Sequence, residues 1–256
     1  MRETIWKQYS PAKQWLRQQI WDSLHTSNAV FHQPHGHIPH FVGAIQAARQ
    51  LAALDIWQKA TVIKCNPDKP QTPVRAASLA AEKTLYMAVP RLINDCCFVE
   101  LRREWLPHPD FDLAKAAHKD IVLKFGRPVP FEKMQPIDIA VVGCVAATKA
   151  GGRTGKGAGF ADLELAMLQM FGLIQASTKI ITTIHPLQLV TAENLPLESH
   201  DWPLDWICTP DKAIATQHQH QHPHPQGLDW RKIQPHQWNS IPILKHLYAE
   251  HQQGEF

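Results

Sequence analysis

The sequence IDIAVVGCVAATKAGGRTGKGAGFADLE, residues 137–164, joins a long apolar run to a glycine-rich segment and then to a helical pattern. The run 137–147 is almost continuously apolar, which is typical of a central strand that is buried on both faces of a parallel sheet. Five of the 12 glycines of the chain lie between Gly151 and Gly159. A glycine loop between a buried strand and a helix lies where α/β sheets bind ligands, at the carboxyl end of a strand.

Helical and strand patterns alternate along the rest of the chain. Ser10 followed by Pro11 is a good helix start, because a serine hydroxyl can cap the first turn and proline fits its first position. The patterns predict helices over residues 11–24, 42–54, 74–83, 160–174 and 241–251, and strands over 60–64, 84–89, 96–101, 137–147, 179–184 and 206–208. Such alternation predicts an α/β fold with a mostly parallel sheet covered by helices.

The glycine segment, residues 150–164, is typical of a polyphosphate site. Glycines let backbone N–H groups turn towards a ligand, and a helix start adds free N–H groups with a partial positive charge. Arg153 and Lys156 supply mobile cations, and Asp162 in the first helical turn could hold a Mg²⁺ that bridges phosphate oxygens. The dinucleotide fingerprint does not fit, and neither does the P-loop, because Gly157 stands where a P-loop has serine or threonine. The alternative is a flexible surface loop without a chemical role.

Two cations lie on the apolar face of the first predicted helix. At roughly 100° per residue, Lys13 and Arg17 share a sector with Leu16 and Ile20. Burying an unpaired charge is costly, so both side chains would need a carboxylate or an anionic ligand. The alternative is that their aliphatic stems pass the apolar edge and place both charges in solvent.

The composition excludes several classes of protein. Hydrophobic residues make up 44% of the 256 residues and charged residues 19%, which excludes a disordered chain and suits one large domain. A formal net charge of +3 is too small for a dedicated nucleic-acid binder. Five cysteines without a C-x-x-C pair argue against a disulfide scaffold and a zinc ribbon. Since neither a signal peptide nor an apolar run of about 20 residues is visible, we expect a cytoplasmic protein without a membrane partner.

Histidines concentrate in two loops. The first, FHQPHGHIPHF, leaves open a zinc site or a turn-forming loop whose histidines cap backbone groups or line a pocket; its histidines are His32, His35, His37 and His40. The second, QHQHQHPHPQ at residues 217–226, is a low-complexity stretch that we predict to be an exposed loop. Its histidines could also chelate a metal: His218, His220, His222 and His224.

These features together resemble the 5-formyltetrahydrofolate cyclo-ligase (methenyltetrahydrofolate synthetase) family. The resemblance spans roughly residues 10–215 and rests on Lys13-x-x-x-Arg17, on IDIAVV at 137–142, and on GRTGKGAGFAD at 152–162. LPLESHD at 195–201 and DWICTP at 205–210 look like the closing strands of that family. HGHIPHFVGA at 35–44 and NPDKPQ at 66–71 look more like a divergent, cyclo-ligase-like branch.

The resemblance implies a fold, a reaction and a set of site residues. The fold would be a three-layer α/β fold of the NagB/RpiA/CoA-transferase type, formed by residues 1–256 as one domain. ATP, with Mg²⁺, would phosphorylate the formyl oxygen of 5-formyltetrahydrofolate; the N10 amine would then close on the activated carbon, and loss of phosphate would leave 5,10-methenyltetrahydrofolate. Lys13 and Arg17 would hold phosphates, Asp162 would bind Mg²⁺, and Arg153 and Lys156 would be catalytic. The ATP loop would consist of Gly152, Arg153, Gly155, Lys156, Gly157, Gly159 and Phe160.

The loop departs from the family pattern in two places. The family loop usually ends in GGGYYDR, whereas residues 157–163 are GAGFADL, so Ala161 and Leu163 replace an aromatic residue and an arginine. The Glu-x-x-Thr signature of the folate side has no counterpart near residues 66–75. A second hypothesis therefore keeps the nucleotide pocket but changes the substrate to a thiamine-related or pterin-like heterocycle. A third is a non-catalytic protein that carries metal on the histidine-rich loop.

Overall fold

A computed structural model describes residues 10–89, 96–195, 200–218, 225 and 227–253. The helices are α1 (Pro11–Thr26), α2 (Ala44–Ala52), α3 (Asp55–Lys59), α4 (Thr72–Ala80), α5 (Leu113–Ala116), α6 (Lys119–Phe125), α7 (Phe160–Met170), α8 (Pro235–Ser240) and α9 (Ile243–Gln253). The strands are β1 (Val62–Cys65), β2 (Thr84–Ala88), β3 (Phe98–Leu101), β4 (Arg127–Val129), β5 (Ile139–Val141), β6 (Ala146–Thr148), β7 (Arg153–Thr154), β8 (Lys179–Thr183), β9 (Leu189–Val190), β10 (Trp206–Cys208) and β11 (Ala213–Ala215). Ser10 caps α1 as predicted, since its side chain accepts from the backbone N–H of Lys13.

The main sheet has eight strands in the order β11-β10-β8-β5-β1-β2-β3-β4. Its centre is parallel, with β1 paired to β2 and β5, and β8 paired to β5 and β10. The edge strands β11, β3 and β4 join in antiparallel pairs. The chain leaves β1 for β2 on one side and later fills β5 on the other, so the strand order reverses at β1. A crevice forms outside the carboxyl ends of parallel strands at such a reversal.

Helices cover both faces of this sheet. On β1, Val62 packs in the core on one face and Ile63 in the core on the other, as expected from the period of two along a strand. The first face carries α7 and α9, and the second carries α2, α4 and α6. The predicted three-layer α/β architecture with a mostly parallel sheet is confirmed.

The predicted strand over residues 137–147 is wrong as a single element. The run splits into β5, which lies in the main sheet, and β6, which pairs with β7 and β9 in a separate three-stranded sheet. The two strands are separated by residues 142–145, which include Gly143. A Cβ added at Gly143 would lie only 3.0 Å from both Gln71 Oε1 and Ile38 Cγ2. Both halves of the run are buried, so hydrophobicity alone could not separate them. As a consequence, the glycine loop follows the β6–β7 hairpin and not the central strand directly.

Within the described residues, no helix combines the length and the apolar character needed to cross a bilayer.

Candidate functional site

A cavity of about 550 Å³ lies at the carboxyl ends of β1 and β5. Its floor includes Asn66 and Asp68, which follow β1, and Gly143, which follows β5. The glycine loop and the first turns of α7 form one wall, and the start of α1 forms another. Residues 200–202 and 227–237 complete the lining. The cavity therefore lies at the strand-order reversal, where an α/β sheet binds ligands.

The glycine loop reaches α7 through left-handed backbone. Gly157 and Gly159 have φ values of +112° and +68°, which residues with a Cβ rarely adopt. Gly159 is the N-cap of α7, so the helix presents unpaired backbone N–H groups at the cavity wall. A Cβ added at Gly155 would meet nothing within 4 Å, so open space lies beside this part of the loop. Phe160 and Leu163 extend the wall as apolar side chains.

Lys13 and Arg17 are buried, with residue exposures of 8% and 2%. The alternative in which both charges reach solvent is therefore wrong. Lys13 Nζ forms an ion pair with Asp201. Arg17 Nη1 donates to Thr154 Oγ1 at 2.9 Å, which joins α1 to the residue immediately before Gly155. Both cations line the cavity together with the glycine loop, so the structure brings together the two halves of the predicted phosphate site.

Arg153 is not the mobile cation that the sequence predicted. Its Nη2 donates to Asp162 Oδ1 at 2.6 Å and its Nε donates to the Trp202 carbonyl at 3.0 Å. The Trp202 backbone N–H also donates to Asp162 Oδ1, at 3.0 Å. Burial raises the pKa of the Asp162 carboxyl, and the Arg153 guanidinium opposes that rise. Arg153 and Asp162 thus fix each other and the segment after residue 200 at the edge of the cavity.

Lys156 retains the freedom that the sequence predicted. Its side chain is 41% exposed, and Nζ lies 3.3 Å from Asp68 Oδ1 across the cavity. Ion pairs this exposed contribute little to stability, so Lys156 can exchange Asp68 for an anionic ligand at small cost.

A buried ion pair below the cavity was not predicted from the sequence. Lys64 on β1 is fully buried, and its Nζ lies 2.7 Å from Glu164 Oε2 on α7. The same ammonium donates to Asn66 Oδ1. Asn66 and Glu164 line the cavity, so the pair supports its floor from beneath. The signal in the sequence was a lysine inside the otherwise apolar strand VIKC.

The histidines of the two clusters that the structure describes do not line the cavity. Among the residues that the structure describes, no three His, Cys, Asp or Glu side chains come together as a group that could hold a metal ion. In the first loop, His35 Nε2 lies 2.8 Å from Asp22 Oδ1. In the second, His218 is buried with Nε2 3.1 Å from Asp205 Oδ1, so the prediction of an exposed loop is wrong at that residue. The predictions for His220, His222 and His224 lie outside the described residues.

A model of the 5-formyltetrahydrofolate cyclo-ligase family matches residues 9–210. The chain belongs to this family. Methenyltetrahydrofolate synthase domain-containing proteins from Bos taurus and Homo sapiens are each 36% identical over 248 residues, which is 95% of this chain and 63% of theirs. The Mus musculus relative is 36% identical and covered to 65%, so the chain spans less than two thirds of the curated relatives it matches.

A solved cyclo-ligase-type structure has the same fold. The NMR structure of Aquifex aeolicus 5,10-methenyltetrahydrofolate synthetase matches with a TM-score of 0.50 at 17% identity, over 86% of this chain and 99% of that chain. The cyclo-ligase family region contains α1, the glycine loop and α7. The cavity lining at 227–237 lies beyond it.

Proposed function

We propose that this protein uses ATP and Mg²⁺ to cyclise 5-formyltetrahydrofolate to 5,10-methenyltetrahydrofolate. The observation that carries the proposal is the contact of Arg17 with Thr154, which places two buried cations and a glycine-rich helix start on one cavity. Membership of the cyclo-ligase family and the names of the curated relatives support the same reaction.

The donor set fits a triphosphate. Arg17 and Lys156 supply positive charge from opposite walls, and the helix start supplies N–H groups. Lys13 adds an ammonium that is paired with Asp201 at the same cavity. The open space beside Gly155 leaves room for phosphate oxygens to approach the backbone. We assign Lys13 and Arg17 to the phosphate chain and Lys156 to the transferred group, because the exposed lysine can follow charge that moves during the reaction.

Asp162 fits a magnesium site that is completed by phosphate oxygens. Mg²⁺ is usually held by one or two carboxylates together with substrate phosphates. Oδ1 of Asp162 accepts from Arg153 and from the Trp202 N–H, so Oδ2 is the oxygen that would hold the metal. Arg153 is then a positioning residue, which orients the carboxylate without touching phosphate. Bound Mg²⁺ would neutralise phosphate charge.

The proposed chemistry requires positioning more than covalent participation by the protein. The formyl oxygen attacks the γ-phosphorus and ADP leaves. N10 then attacks the activated carbon and loses its proton to solvent, and cleavage of the carbon–oxygen bond releases phosphate and gives the methenyl product. Here the cations would hold the triphosphate, and the apolar Phe160 and Leu163 would reduce access of water. The reaction involves a small-molecule substrate and requires no nucleic acid or membrane.

Absorbance of the methenyl product tests the proposal directly. Purified protein with ATP, Mg²⁺ and 5-formyltetrahydrofolate should form product, and Lys156→Ala should form it far more slowly. A folded protein that binds ATP but forms no product would refute the folate reaction. Saturation at ~100 times the dissociation constant should stabilise the protein by about 2.7 kcal/mol, so thermal shift can report ATP binding independently.

A second candidate keeps ATP but replaces the folate with a thiamine-related or pterin-like heterocycle. The observation in its favour is Leu163, an apolar residue at the cavity wall where the family pattern has arginine. Stabilisation by ATP without stabilisation by folates would favour this candidate.

We place the activity in the cytoplasm. Cys65, Cys97, Cys144 and Cys208 are buried free thiols, and a reducing compartment is where free thiols persist.

A further inference from the structure

The segment from Gly227 to Gln237 lines the cavity although it lies beyond the residues that the family model matches. It is fixed to the domain, because Ile233 and Ile241 are buried in the same core as Leu165 of α7. The site therefore has a wall that the matched region does not supply.

Gln237 on α8 makes the closest approach of this wall to the glycine loop. Its Nε2 donates to the Ala158 carbonyl at 2.9 Å, and the residue is only 6% exposed. A Cβ added at Gly159 would lie 2.7 Å from the same nitrogen. The other amide atom, Oε1, accepts from the Gln234 backbone N–H at 2.7 Å, which fixes the orientation of the side chain.

His236 adds a second contact to the same part of the loop. Its ring meets Phe160 edge-on, with ring centroids 5.9 Å apart. Two consecutive residues of α8 thus contact the three residues 158–160 where the loop becomes α7.

We infer that Gln237 is a positioning residue for nucleotide binding, which holds the glycine loop in its phosphate-binding conformation; this inference rests on the proposed function. Glycine-rich backbone loses much conformational freedom when it is ordered. A fixed donor to the Ala158 carbonyl removes part of that freedom before the ligand arrives, and such pre-organisation raises affinity. The C-terminal segment is therefore part of the nucleotide site.

Two variants separate the amide donor from the other properties of Gln237. Gln237→Glu keeps the oxygen that accepts from Gln234 but loses the donor, and Gln237→Met removes the donor without adding charge. Asn239→Asp is the matched control, since Asn239 is an exposed residue of the same helix and undergoes the same amide-to-carboxylate change. Each protein is examined by hydrogen exchange over residues 155–160 without nucleotide, and by ATP titration.

We expect both Gln237 variants to exchange the loop amides faster and to raise the Kd for ATP by roughly fivefold, the effect of one neutral hydrogen bond. Asn239→Asp should change neither quantity, and exchange in β5 should stay unchanged in all variants.

Loop exchange equal to wild type in both Gln237 variants would overturn the inference, as would faster exchange with an unchanged Kd. A raised Kd in Gln237→Glu alone would also overturn it, because repulsion between carboxylate and phosphate would then be the cause. If the wild type binds no ATP, the proposed function fails, and loop exchange alone decides whether Gln237 holds the loop.

Discussion

Replacing Arg153 with methionine removes one partner of a buried ion pair while keeping most of the apolar stem. The Arg153 and Asp162 side chains are 2% and 20% exposed. Breaking a buried pair on one side costs about 3–5 kcal/mol of unfolding free energy, because the remaining charge has no compensation. One fifth of the Asp162 side chain still reaches solvent, so we expect Arg153→Met to lose about 3 kcal/mol, at the lower end of that range.

The loss should depend on pH with a definite sign. Burial raises the pKa of Asp162 from its ordinary value of 3.8, and Arg153 opposes the rise, so the variant raises this pKa further. A carboxyl whose pKa is raised by folding loses stabilisation as the pH increases through the folded pKa. The difference in unfolding free energy between Arg153→Met and wild type should therefore be largest at neutral pH and should shrink as the pH falls towards 4.

Urea denaturation, monitored by tryptophan fluorescence, measures this difference. The slope of unfolding free energy against urea concentration should be the same in the variant and the wild type. Lys156→Met is the control, since its exposed pair with Asp68 should contribute less than about 1 kcal/mol. Equal stability of Arg153→Met and wild type at neutral pH would refute the structural role of the pair, and so would a loss that grows on acidification.

Further substitutions test the exposed lysine, the buried pair below the cavity and the packing of the glycine segment. Lys156→Ala should weaken ATP binding by about 1.5–3 kcal/mol and should change the unfolding free energy by less than about 1 kcal/mol, measured by calorimetric titration and urea denaturation. Lys64→Met should lose about 3–5 kcal/mol of stability, and Lys64→Met combined with Glu164→Leu should recover most of it; additive losses would contradict a buried pair. Gly151→Ala should lose more than about 2 kcal/mol, because φ is +92° and the new Cβ would lie 2.5 Å from a neighbouring Cβ. Gly155→Ala, in open space, should stay within about 0.5 kcal/mol of wild type, and equal losses in both glycine variants would refute the packing argument.

The local pattern of the sequence was sufficient to predict most of the secondary structure. The predicted strands at residues 84–89, 179–184 and 206–208 correspond to β2, β8 and β10, and the Ser10 cap lies where the sequence places it. The sequence left open whether Lys13 and Arg17 are buried. Helical periodicity did place both on the apolar face, because positions three and four residues apart lie on one face. Such features depend on neighbours within a few residues.

Site residues with distant partners could not be found in this way. Lys64 and Glu164 are 100 residues apart, and Gln237 is 79 residues from Ala158. A lysine in an apolar strand indicates that a partner exists, but only the stacking of α7 on the sheet determines which carboxylate it is. For the same reason, the sequence could not show that Arg153 forms a buried ion pair with Asp162.

The amino-acid sequence by itself determined the α/β class and the resemblance to a family, and that resemblance implied that a basic helix and a glycine-rich helix start share one site. Hydrophobic period, caps and glycine spacing act over short stretches, so they are legible without coordinates. Only the tertiary structure decided that the apolar run 137–147 forms two strands in different sheets, that Lys156 is largely exposed whereas Arg153 is buried, and that α8 contacts the glycine loop. These three features depend on which distant segments pack together. The surroundings of a buried charge, or of a glycine with no room for a Cβ, are formed by atoms from another part of the chain.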